Sequence, residues 1–161
     1  MQDDKDIKLK VVEGVRASSD ETGYALKFLE FADADLSAAS VLLNQDEDYM
    51  YQGAYLATQS CEKYLKAFLV SRLSEQSKAR VTEYTKRLGH DIQKIFNKCV
   101  VQESSINDIL PMVEAIIPYE YLRYPDVVDE KIFNGGLSIG SGIVQHVDKV
   151  GQFVRPYVIG S

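Results

Sequence analysis

The sequence predicts an all-α domain: an up-and-down antiparallel bundle of about five helices, two of them long. Three observations lead there. Apolar residues recur every three or four positions along most of the chain, the period of one helix face. The connections between these runs are short, which favours antiparallel neighbours. The chain has 161 residues, 45% hydrophobic and 26% charged, the size and composition of one ordinary globular core. Residues 1–20 carry little periodicity apart from Ile7, Leu9, Val11 and Val12 and read as an N-terminal tail; 21–161 read as the bundle.

The first helix starts near Tyr24 and carries Ala25, Leu29, Ala32, Leu36, Ala39 and Leu43, a 4-3-4-3-4 seam with Asp20 upstream as a cap. Alternating Ala with Leu lets a partner helix approach closely. The second helix begins near Asp48 and puts Tyr51, Ala54, Thr58, Cys61, Leu65 and Phe68 on one stripe, with Leu69 and Leu73 beside it. Reaching about Ser74, it is roughly 40 Å long at 1.5 Å per residue. Residues 75–88 are polar and weakly periodic and read as a loop or partly helical connection ended by Gly89. Asp91 caps a short third helix bearing Ile92, Ile95, Phe96 and Cys99. Ser104 or Ser105 caps a fourth with Ile106, Ile109, Leu110, Val113, Ile116 and Ile117, kinked or interrupted by Pro111, with Pro118 near its end. After a break at Pro125 and a turn at Asn134-Gly135-Gly136, the last stripe is Ile139, Ile143, Val147, Val150, Val154 and Tyr157. Its β-branched residues suit strands, but its spacing is helical.

Composition narrows the function. No stretch approaches the roughly 20 apolar residues of a membrane span, and the charged N-terminus does not resemble a signal peptide, so a cytoplasmic protein without membrane contact is expected. Cys61 and Cys99 fall at apolar helix positions and read as buried thiols. With no Cys-x-x-Cys, no His-x-x-x-His and two histidines, a zinc site has almost no ligands. A carboxylate-held magnesium ion is left open, and no cofactor is expected. The net charge of −6 argues against phosphate binding over the whole surface. Residues 62–98 nevertheless hold nine Lys and Arg against four Asp and Glu, an excess that fits either a phosphate-meeting face or the solvated side of a helix hairpin.

Three short stretches carry candidate chemistry. Glu62 and Lys66, with Lys63 beside them, are one helical turn apart; the plain reading is an ion pair on an exposed face, worth about 0.2–0.5 kcal/mol. Arg87 and His90 precede a helix start whose amides favour anions, although a lone histidine there also serves as a cap or packing residue. Arg123 and Tyr124 come just before Pro125 and Asp126, where a helical run must stop.

Taken in order, ADADLSAASVLL (32–43), AYLATQSCEKYLKAFL (54–69), GHDI (89–92) and RYPD (123–126) resemble the HEPN domain family, over roughly Tyr24 to Tyr157. The resemblance implies a bundle with two long antiparallel helices, frequently a homodimer. Members bind nucleotides or RNA and often work beside a minimal nucleotidyltransferase in toxin–antitoxin pairs. Carried onto this chain, it points to Lys63, Lys66, His90, Asp91, Arg123, Tyr124 and Asp126 as the lining of a polar groove; Arg87 joins them as an anion-binding candidate. The RNase members use an Arg and a His four to six residues apart. Here no Arg stands four to six residues before His90 or His146, so a non-catalytic binding module is expected. The alternatives are a metal-independent endoribonuclease in which His90 and Arg123 meet from different helices, and a structural bundle whose charged side chains pair internally.

Overall fold

The computed structural model describes residues 23–123, 139–140 and 142–160, the side chain of Arg123 excepted. The proposed tail, the Asp20 cap and the Asn134 turn lie outside the described residues. Among the described residues the fold is all-α, without strands: α1 Gly23–Leu43, α2 Met50–Ser71, α3 Lys78–Leu88, α4 Ile92–Gln102, α5 Leu110–Ile116 and α6 Gly142–Ile159. Short 3₁₀ turns at Glu47–Tyr49, Ser104–Ile109 and Ile117–Arg123 link them.

The Ala/Leu seam buries as its spacing requires: Ala25, Leu29, Ala32, Leu36 and Ala39 are all in the core. Its small residues let α2 come close enough for the Ser60 hydroxyl to donate to the Ala32 carbonyl at 2.7 Å. Gly53 faces Leu43, Ser60 to Tyr64 face Ala32 to Asp35, and Val70 clusters with Ala25, so α1 and α2 run antiparallel. On its other sides α2 meets α4 and α6, which buries every residue from Ser60 to Val70 except Lys63. Close approach to α6 is set by Gly151, whose missing side chain leaves room for the Tyr64 ring.

Several expectations change. The 75–88 stretch is helical over most of its length: Ser77 caps α3 by accepting from the Arg80 amide at 3.4 Å, and Val81 and Leu88 anchor it. With it, six α-helices stand among the described residues, where about five were expected. The Glu47–Tyr49 3₁₀ turn runs directly into α2, which starts at Met50 and ends at Ser71, more than a turn short of the anticipated length. Pro111 occupies the first turn of a new helix, where the absent amide proton costs nothing, and so interrupts the fourth run without kinking it. Glu103, and not Ser104 or Ser105, is the residue before that run whose side chain caps it.

Candidate functional site

Gly89 terminates α3 with φ +67°, a conformation that suits glycine, and turns the chain so that His90 and Asp91 precede α4. Asp91 caps α4 as anticipated, accepting from the Lys94 amide at 2.9 Å. From the other direction, the 3₁₀ turn Ile117–Arg123 brings Glu120 and Tyr121 against the same place. Together with Thr58, Gln59 and Glu62 of α2, these residues and Ile92 line a cleft of about 420 Å³. Its size is within the range of small-molecule sites.

Glu62 is at the floor of the cleft. Lys66 donates to its Oε1 at 2.7 Å, and their side chains are 7% and 5% exposed. The pair is therefore buried, contrary to the exposed-face expectation, because α2 is covered by neighbours on nearly every side. The ring of His90 reaches the same oxygen at 2.9 Å through Nδ1 while its side chain stays 63% exposed. A carboxylate oxygen only accepts, so Nδ1 is the donor in this contact.

Around this floor several donors are already engaged. The Thr58 hydroxyl donates to the Tyr55 carbonyl at 2.7 Å, and the Ile92 amide donates to Glu120 at 2.6 Å. Two of the first three amides of α4, those of Ile92 and Lys94, are thus already engaged by carboxylates. The sequence pointed to this helix start as an anion site; the structure fills it with Asp91 and Glu120.

The other candidates divide. His90 and Asp91 line the cleft and Lys66 is tied to it only through Glu62, but Lys63 points to α1 and pairs with Asp35. Arg87 lies on the exposed side of α3 and pairs with Glu83. The basic excess of residues 62–98 is mostly the solvated side of the α3–α4 hairpin, where Lys78, Arg80, Lys86, Arg87, Lys94 and Lys98 are exposed. The backbone of Arg123 ends the turn that carries Glu120 and Tyr121. Its side chain, and all of Tyr124 and Asp126, lie outside the described residues. Sequence reasoning missed Thr58, Gln59, Glu120 and Tyr121 because single polar residues on helices carry no signal until a partner element is placed opposite them. It also placed Tyr51 in the core, whereas Tyr51, Gln52, Tyr55 and Leu122 line a shallower groove of about 280 Å³ beside the cleft.

Among the described residues no group of His, Cys, Asp and Glu could hold a metal ion, and no helix is long and apolar enough to cross a membrane. The thiols are buried; burial raises that of Cys61 well above the ordinary range and pushes that of Cys99 up to about 12. No family model, curated protein or solved structure matches the chain.

Proposed function

We propose that the chain is a non-catalytic HEPN-type module that binds a nucleotide or RNA at the cleft between the Gly89–His90 turn and the segment leading into Arg123. One observation carries this reading: His90 and Asp91, and Glu120 and Tyr121, belong to elements far apart in sequence yet line a single cleft. In this proposal Arg123 meets a phosphate, Tyr124 and Asp126 complete the rim, and the exposed cations of α3 and α4 attract the polyanion. The up-and-down order of the whole bundle, a homodimer, a minimal nucleotidyltransferase partner and a role in a toxin–antitoxin pair belong to the same reading. Lys63 and Lys66, each paired with a carboxylate, act structurally in it.

Titration of ATP and of a short RNA against the wild type and Arg123→Ala tests the proposal. The variant should weaken binding about tenfold at low salt and flatten its salt dependence. Unchanged affinity removes Arg123 from the site.

A second reading, a metal-independent endoribonuclease, draws support from the Glu62–His90 contact. A buried carboxylate that fixes the tautomer of an exposed imidazole is the arrangement a general base needs. It requires that purified protein cleave RNA and that His90→Ala abolish the cleavage; intact RNA, or cleavage undiminished in the variant, rejects it.

A further inference from the structure

Resting on the nucleotide reading above, we infer that the cleft takes the nucleoside part of its ligand, base and ribose, and leaves the phosphates outside. A phosphate needs donors, and the donors expected here are occupied. The Ile92 and Lys94 amides go to Glu120 and Asp91, Lys66 goes to Glu62, and Nδ1 of His90 is turned to that same carboxylate. Three of the eight lining residues, Glu62, Asp91 and Glu120, are carboxylates, and the Gln59 side chain can donate as well as accept. A carboxylate has about four acceptor positions, so Asp91, which serves the Lys94 amide at 2.9 Å and its ammonium at 3.5 Å, can still accept from a ligand.

The complementary group is rich in hydroxyl or amino protons. The cis-diol of ribose presents two donors side by side to one carboxylate, and an exocyclic amino group presents two more. Tyr121, 40% exposed at the edge of the cleft, offers a flat face for the base, and Tyr51 and Tyr55 continue that surface along α2. Phosphates attached to a nucleoside held this way extend beyond the acceptor-lined walls, where the exposed cations of the α3–α4 hairpin lower their electrostatic cost.

The experiment is calorimetric titration of the whole chain at low salt with adenosine, 2′-deoxyadenosine, ATP, a short oligoadenylate and inorganic tripolyphosphate. Adenosine should bind within about tenfold of ATP, 2′-deoxyadenosine about tenfold more weakly than adenosine, and tripolyphosphate should not displace ATP. Asp91→Asn should weaken adenosine binding about tenfold with its melting temperature unchanged, because Asn caps a helix as well as Asp. Displacement of ATP by tripolyphosphate, or binding of ATP or oligoadenylate without binding of adenosine, overturns the inference and leaves the nucleotide reading standing. If none of the nucleoside, the nucleotide and the oligoadenylate binds, both fall.

Discussion

Glu62 is a carboxylate removed from water and paired with two neighbours. Isolated burial of a charge is costly, and the cost is offset here by Lys66 at 2.7 Å and His90 at 2.9 Å on the same oxygen. A pair of this kind contributes little relative to a well-packed apolar pair, yet loss of one member strands the other. Lys66→Met should therefore destabilise the fold by about 3–5 kcal/mol. The double variant Glu62→Leu/Lys66→Met should recover more than half of that loss. Urea denaturation of the two single variants and the double variant measures this; additive losses would mean that the two side chains do not depend on one another. The intermediate position of His90 has a different consequence. With one nitrogen tied to a buried carboxylate and the ring otherwise exposed, its orientation is fixed by Glu62, so Glu62→Gln should alter ligand contacts at His90 before it alters the cap made by Asp91.

Legibility at the scale of elements follows how strongly each element is amphipathic. The buried positions of α1, α4 and α6 were readable because each has a single apolar stripe: Ile92, Ile95, Phe96 and Cys99 all bury, as do Ile143, Val147, Val150 and Val154. α3 escaped because it buries only Val81 and Leu88 and is otherwise a charged surface, so its signal is a cap, Ser77, and a stop, Gly89. α2 was readable as a helix but not in orientation. Being covered on several sides it buries Glu62 and Lys66 along with its apolar residues, while Tyr51 at its open end stays 40% exposed. Half of the cleft was legible because Gly89, His90 and Asp91 form a compact turn; the other half depends on which face of the Ile117–Arg123 turn looks inward, and that is a tertiary fact. Close packing of elements also fixes a glycine. A methyl group on Gly151 would stand 2.7 Å from Cζ of Tyr64, and the ring cannot swing aside freely because its hydroxyl is bound to Asp33, itself held by Arg155 at 2.7 Å. Gly151→Ala should thus cost about 1–3 kcal/mol, outweighing the helix-propensity gain of up to about 1 kcal/mol. Gly142→Ala, which meets nothing within 4 Å, should not destabilise. Thermal melts of both variants decide, and a Gly151→Ala protein as stable as the wild type would show that α2 and α6 can separate without loss.

At the scale of the whole molecule, the core withholds several weak acids from solvent in one direction of pH. Burial raises the thiols of Cys61 and Cys99, the latter to about 12, and raises Tyr84 and Tyr119; burial and the hydrogen bond to Asp33 raise Tyr64. In the unfolded chain a thiol ionises near 8.5 and a tyrosine near 10. Between those values and the raised ones only the unfolded chain loses protons, so it binds fewer protons than the native state and stability falls as pH rises. The contribution of each thiol is fully present below about pH 8.5 and is lost as pH climbs toward its folded value, at about 1.4 kcal/mol per pH unit. The tyrosines add to the slope above about pH 10. On the acid side Glu103 is held low by the Ser105 hydroxyl and amide; the stability it lends is present above the ordinary glutamate value and is lost as pH falls. That carboxylate reaches solvent, so its own contribution on the acid side should be small. Urea melts at pH 7.5, 9.5 and 10.5 should show unfolding free energy dropping across the series, and the double variant Cys61→Ala/Cys99→Ala should drop less steeply than the wild type. In the native protein at pH 8 both thiols should react with a disulfide reagent only as fast as the fold opens. A free energy flat to pH 10.5, or immediate reaction of either thiol, would mean that the α2–α4 contact, where Cys99 donates to the Leu65 carbonyl at 3.7 Å, is open to water and that the core described here is not closed.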